Sequence, residues 1–186
     1  MATTTSLHRA DVVRPSGGIR FERLKTSAPA ESIYPGVAEI LFGGIKAKAA
    51  IRYRETLSRA KNSIEVHDLI VGGLPFIVLD NLLTSTSLRR DELLEALGMS
   101  ARTLQRYAKE RKDKSLNEEH SDRAWRYSAL LAQAIKLLGT REAAEEWFNT
   151  PAMALENKRP IELMSTSVGA RSVERLLGQI EHGVYV

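Results

Sequence analysis

Residues 88–111 read LRRDELLEALGMSARTLQRYAKER, and this stretch decides how the rest of the chain is read. Leu93, Leu97, Leu104 and Tyr107 recur where two short helices, Leu88–Leu97 and Ala101–Lys109, would pack on each other. Gly98 falls at the reversal between them, where a left-handed residue is needed and glycine adopts it freely. Ser100 is a suitable N-cap for the second helix. Arg102, Thr103, Gln105, Arg106 and Lys109 are then left mostly outward, with no acidic residue before Glu110. This is the pattern of a helix-turn-helix. Arginine and glutamine near the start of its second helix reach base edges in a major groove, and Lys109 reaches phosphate. The pattern also admits a helical hairpin with a solvated basic face. Leu94, four before Gly98, is larger than the residue such units usually hold there. Arg89 and Arg90 open the first helix as backbone contacts or as plain surface.

Working upstream, Asn81–Leu83 end a segment in which Ile77, Val78, Leu82 and Leu83 follow Pro75, a residue suited to a helix start. Ser63 is a candidate cap for a helix bearing Val66, Leu69 and Ile70, stopped by Gly72-Gly73. Val37–Phe42 and Ala47–Arg59 are possible helices separated by Gly43-Gly44. Residues 1–32 are rich in Ser, Thr, Pro and charge and read as a flexible arm, with Ile19, Phe21 and Leu24 as a weak strand or docking signal. Working downstream, a long helix is predicted over Glu118–Leu138 from Ala124, Tyr127, Leu131, Ala134, Ile135 and Leu138, ended by Gly139. Thr140 caps a helix holding Ala144, Trp147 and Phe148 that Pro151 terminates. Pro160 opens a short turn, and Thr166 or Ser167 caps a last helix with Val173, Leu176, Leu177 and Ile180 as its stripe. The expected fold is all-α: a helix-turn-helix DNA-binding domain followed by a small helical domain. The expected boundaries are an N-terminal arm over 1–60, partly flexible with short helices, then 61–138 and 139–186.

Composition narrows the function classes. The chain has no cysteine, so disulfides, thiolate metal sites and a cysteine nucleophile are excluded. No apolar run approaches the roughly 20 residues of a membrane span, and residues 1–10 lack the apolar core of a signal peptide. A cytoplasmic protein without membrane attachment is expected. The net charge is +4. Residues 1–60 hold ten Lys/Arg against five Asp/Glu, residues 61–140 twelve against eleven, and residues 141–186 five against seven. The basic end is compatible with a polyanion partner, and the arm within it with extra DNA affinity.

No constellation supports catalysis. His8, His67, His120 and His182 are scattered, with no metal-ligand spacing. The glycine pairs at 17–18, 43–44 and 72–73 fit neither a P-loop nor a dinucleotide fingerprint. Glu118-Glu119 and Glu145-Glu146 are neighbours that point different ways on a helix and suit solvent. No catalytic residue, metal or cofactor is expected.

The last fifty or so residues carry a resemblance. Gly139 precedes a helix with Ala144 and Trp147; Pro151 and Leu155 follow, then Arg159-Pro160 with Leu163, then Thr166, Gly169, Ala170 and Val173, and finally Leu177-Gly178, Ile180 and Gly183. This resembles the C-terminal toxin-binding domain of Xre/MbcA/ParS-type antitoxins, with the helix-turn-helix upstream in the order such antitoxins have. The resemblance implies a cognate toxin of the RES type, which consumes NAD, neutralised by occlusion of its active site. It also implies repression of the pair's own operon through operator DNA, often jointly with the toxin. A homodimer and a hetero-oligomeric toxin–antitoxin complex are the expected assemblies, since helix-turn-helix repressors commonly read paired half-sites. Arg171, Arg175, Glu181, His182, Gly183, Val184, Tyr185 and Val186 are the residues expected on the toxin. An apolar end directly after a helix-stopping glycine suits a surface to land on; folding back onto the chain's own core is the other reading. The alternative function is a transcriptional regulator whose C-terminal domain only dimerises or binds a non-toxin partner.

Overall fold

The computed structural model describes residues 32–109 and 115–183. They form ten α-helices and one 3-10 turn, with no strand beyond isolated bridges. The order is α1 (Tyr34–Phe42), α2 (Lys48–Ser58), α3 (Ser63–Val71), α4 (Ile77–Ser85), α5 (Arg90–Ala96), α6 (Ala101–Lys109), α7 (Glu118–Leu138), α8 (Arg141–Asn149), the 3-10 turn Met153–Leu155, α9 (Pro160–Leu163) and α10 (Ser167–Glu181). None of these helices is long and apolar enough to cross a membrane.

α7 is the centre. Ala124, Tyr127, Leu130, Leu131 and Ala134 recur at three- and four-residue steps along it, and all are buried. α1, α3, α8 and α10 pack around that stripe. The approach of α1 is close because small residues meet: Gly36 lies against Ala132. Val37, Ala38 and Leu41 of α1 are fully buried, so part of the segment read as an arm with short helices belongs to the core. α4 is tied to the end of α1 by Asn81, whose amide donates to the carbonyls of Ile40 and Leu41 at 3.1 and 3.2 Å. Those carbonyls lack partners inside α1, and the side chain supplies one.

Most helix limits agree with the periodicity, and the exceptions have local causes. Asn62, not Ser63, caps α3; its Oδ1 accepts from the amides of Ile64 and Glu65, both at 3.0 Å. Pro75 lies outside α4 and forms an isolated bridge with Ser115. α4 continues through Ser85, where the hydroxyls of Thr84 and Ser85 bond back to earlier carbonyls and prolong the last turn. α5 starts at Arg90, because Leu88 is drawn into the core and Arg89 stays extended with ψ 138°. Thr166, rather than Ser167, caps α10, accepting from the Gly169 amide at 3.0 Å.

The arm through residue 31, including Ile19, Phe21 and Leu24, lies outside the described residues, as do residues 110–114 and Val184, Tyr185 and Val186.

Candidate DNA-reading helix and toxin-binding domain

The turn between α5 and α6 is a Schellman closure. The Gly98 amide donates to Glu95 O at 2.9 Å and the Met99 amide to Leu94 O at 2.8 Å. Gly98 has φ +63°, a conformation that costs a side chain strain. A methyl there would also strike the guanidinium of Arg123, which crosses the turn from α7 and donates to Ser165 O at 3.2 Å. Leu94 is accommodated by this closure: it and Met99, joined by the outer of the two bonds, are both buried.

α6 buries Leu104 and Tyr107 and turns the opposite face outward. Tyr107 stacks on Phe76 with centroids 5.8 Å apart, and its hydroxyl accepts from the Asn117 amide at 3.2 Å and lies 3.4 Å from His120 Nδ1. Burial pushes the His120 pKa below its ordinary value, because the charged imidazolium is disfavoured away from water. Arg102, Gln105, Arg106 and Lys109 are exposed, Thr103 is half-exposed, and the five line one shallow concavity. Ser100 is not available in the same way, because its hydroxyl accepts from the Thr103 amide at 3.1 Å and pairs with Thr103 Oγ1 at 2.9 Å. Arg89 and Arg90 are both exposed, but Arg89 is held by Glu92 at 2.7 Å and Asp91 at 4.0 Å. The structure therefore brings together the five residues on α6 and leaves Arg89 in an ion pair.

The C-terminal segment is built from caps. Gly139 ends α7 at φ +88°, and Thr140 accepts from the Ala143 amide at 3.1 Å to start α8. Phe148 is fully buried against Tyr127 at 5.9 Å and Trp147 at 5.3 Å, so both aromatic residues of α8 are packing residues. An isolated bridge between Ala152 and Lys158 closes the loop around the 3-10 turn, with Glu156 and Asn157 left-handed. α10 then buries Gly169, Ala170, Val173 and Leu177. Arg171, Arg175 and His182 fall at i, i+4 and i+11 on its exposed side, with Glu181 and Gly183 exposed at its end.

Beside the Arg123–Ser165 bond, two carboxylates join this segment to the helix-turn-helix, and neither connection is visible in the local sequence. Glu145 is 3% exposed, which corrects the expectation that the Glu145-Glu146 pair faces solvent; only Glu146 does. The Glu145 carboxylate accepts from the Ser87 amide at 2.7 Å, from the Ser87 hydroxyl at 2.5 Å and from Arg141 Nε at 2.9 Å. Burial raises its pKa, but the hydrogen bonds from Ser87 and Arg141 together outweigh burial and hold the carboxyl below the usual range. In the second connection Glu92 accepts from Arg89 at 2.7 Å and from Arg159 at 2.6 Å, and Arg159 also binds Glu162 at 2.8 Å. The hydrogen bond from Arg89, then that from Arg159, keeps the Glu92 carboxyl low against partial burial. No metal-binding cluster occurs among the described residues.

Comparison with known proteins gives two matches along the chain. Residues 65–128 match the model of the antitoxin Xre-like helix-turn-helix domain, and residues 133–183 that of the antitoxin Xre/MbcA/ParS C-terminal toxin-binding domain. A protein of Yersinia enterocolitica named Antitoxin Xre is 30% identical over 139 residues, 74% of this chain and 93% of that protein. A protein of the same name from Pseudomonas putida is 26% identical over 162 residues, 84% of this chain and 98% of its own length.

Proposed function

This chain belongs to the Xre/MbcA/ParS-type antitoxin family, with a helix-turn-helix and a toxin-binding domain, and from that premise we propose how it acts. It neutralises a cognate RES-type toxin by laying the end of α10 and the residues after it over the toxin's active site. Arg171, Arg175, Glu181 and His182 supply polar register there. Gly183 lets the chain turn, and Val184, Tyr185 and Val186 supply apolar anchorage. The reading is supported by the exposure of the first four along and beyond a helix whose opposite face is fully committed to the core.

The same chain represses its own operon as a homodimer, alone and in complex with toxin. α6 enters the major groove; Arg102, Gln105 and Arg106 read base edges, Thr103 and Lys109 contact phosphates, Ser100 shapes the helix start, and Arg90 with Arg89 touches the backbone beside it. It acts in the cytoplasm, where operator and toxin both are, and carries no catalytic activity of its own. The observation that carries the DNA reading is the single concavity of five polar side chains on α6, free of acidic neighbours within the helix.

Co-expression with the product of the neighbouring gene tests the whole reading. The neighbour alone is expected to arrest growth with falling NAD, and this chain to restore growth while co-purifying with it. A harmless neighbour, or an arrest this chain does not relieve, rejects the antitoxin role and leaves a DNA-binding regulator. Within the complex, deletion of Val184–Val186 is expected to weaken neutralisation without lowering the melting temperature. Arg102→Ala and Arg106→Ala are each expected to weaken binding to the DNA upstream of the gene by about 1–3 kcal/mol, with toxin inhibition intact.

A further inference from the structure

α2 carries its charges against its own stability. Its N-cap is Ala47, which offers no side-chain acceptor, and no acidic residue lies in its first turn. Lys48 opens the helix, where the dipole favours a negative charge. Lys48 and Arg52 stand four residues apart, a spacing at which like charges repel along a helix. Segment 46–61 holds six cations, Lys46, Lys48, Arg52, Arg54, Arg59 and Lys61, against Glu55 alone. Its net +5 exceeds the +4 of the entire chain. Among the described residues, none of the ion pairs involves any of the six. Glu55, three residues after Arg52 and four before Arg59, offsets part of this charge, and the segment keeps a net excess of positive charge that none of the described ion pairs takes up.

The charges are also ordered. Lys48, Arg52 and Arg59 fall at i, i+4 and i+11 and are exposed, with the exposed Glu55 at i+7 among them, while Ala50 and Leu57 on the other face are buried. The buried face fixes where α2 sits. Tyr53 stacks on Phe42 at 5.9 Å and lies 3.5 Å from Gly73 O. Ala47, Ala50 and Tyr53 line a depression with Pro75, Ile77 and Ser115. Phe76, between Pro75 and Ile77, stacks on Tyr107 of α6. Contacts thus run from Tyr53 of α2 through Gly73 and the Pro75–Ile77 segment to Tyr107 of the recognition helix, and Ser115 lies six residues past Lys109.

We propose that the stripe Lys48–Arg52–Arg59 of α2 is a second contact with the phosphate backbone of duplex DNA, beside the contact made by α6. It rests on the DNA-binding reading above and extends the footprint beyond the helix-turn-helix, whose family match begins only at residue 65. Phosphates neutralise the repulsion that α2 carries in the free protein, and the contact reads no sequence.

The test uses the full chain and its K48A/R52A/R59A variant. Fluorescence anisotropy is titrated at several KCl concentrations on two duplexes, one of random sequence and one from the DNA upstream of the gene. The plot of log affinity against log salt should flatten by about 2–3 in the variant, since each phosphate contact contributes about 0.9 to the slope. The flattening should be equal on both duplexes, and the preference between them should survive. The variant should melt close to the wild type, because removing Lys48 and Arg52 relieves their repulsion while removing Arg59 gives up a favourable pairing with Glu55 and with the helix end. An unchanged slope overturns the proposal. So does a variant that keeps its DNA slope but loses toxin binding, which would assign the stripe to a protein partner. R102A/R106A separates the two readings: it should erase the preference for the upstream duplex. A wild-type chain that binds neither duplex rejects the DNA reading itself, and this inference with it.

Discussion

Gly169→Ala is expected to destabilise the protein by about 3 kcal/mol, although alanine is the better helix former. Gly169 sits in the first turn of α10. A Cβ there would penetrate the carbonyl oxygen of Leu163 and lie 2.9 Å from its carbon and 3.0 Å from Thr166 Oγ1. The oxygen and carbon are backbone at the end of α9 and cannot rotate away. α10 must retreat, and Ala170 and Val173, 2% and 0% exposed, leave the core with it. Thermal unfolding measures the loss, and toxin binding should fall in parallel. Gly178→Ala, in the same helix, is the control: nothing lies within 4 Å of its Cβ position. It should raise stability by up to about 1 kcal/mol, because only propensity acts there. Equal effects at the two positions would show that α10 does not bear on α9 as described.

Glu145→Ala is the second large effect, about 3–5 kcal/mol, because one partner of a buried charged pair is removed. The Ser87 amide and hydroxyl lose their acceptor, and Arg141 loses the carboxylate beside its Nε. Glu145→Gln, which still accepts hydrogen bonds without charge, should recover part of the loss. The pH dependence has a definite sign. The folded carboxyl lies below its ordinary value of 4.5, so its contribution is complete above that pH and is lost as pH falls through the lowered value. The stability gap between wild type and E145Q should therefore narrow in acid, as read from urea unfolding at pH 7 and below pH 4.5. A gap that stays constant would mean that Glu145 is held by shape alone.

These two sites differ in how much of them could be read without a structure. Glycine at 169 was legible as part of a family pattern, but nothing nearby in sequence says that a carbonyl from α9 fills the space beside it. Glu145 was misread. Its neighbours suggested a solvated acidic pair, and the residue that draws it inward, Ser87, lies more than fifty positions upstream. The same distance hid the Glu92–Arg159 pair. The burial of α1 was also not evident, because its short apolar run has no periodicity that tells a core helix from a docking element.

By itself, the sequence determined the elements and their order: all-α, with α6 and α7 placed to the residue, glycine at the turn, threonine at the start of α8, and the family of the C-terminal segment. Those features are local. A cap acts within three residues and a helical stripe within four, so the information is contiguous and can be read along the chain. Only the tertiary structure decided that α7 is shared by both halves, that two carboxylates join them, and that a basic helix outside the recognised motif is joined to the recognition helix through the Pro75–Ile77 segment. Those relations depend on which surfaces meet once the apolar faces are buried, and burial is collective: it pairs residues by complementary shape and charge, not by separation along the chain.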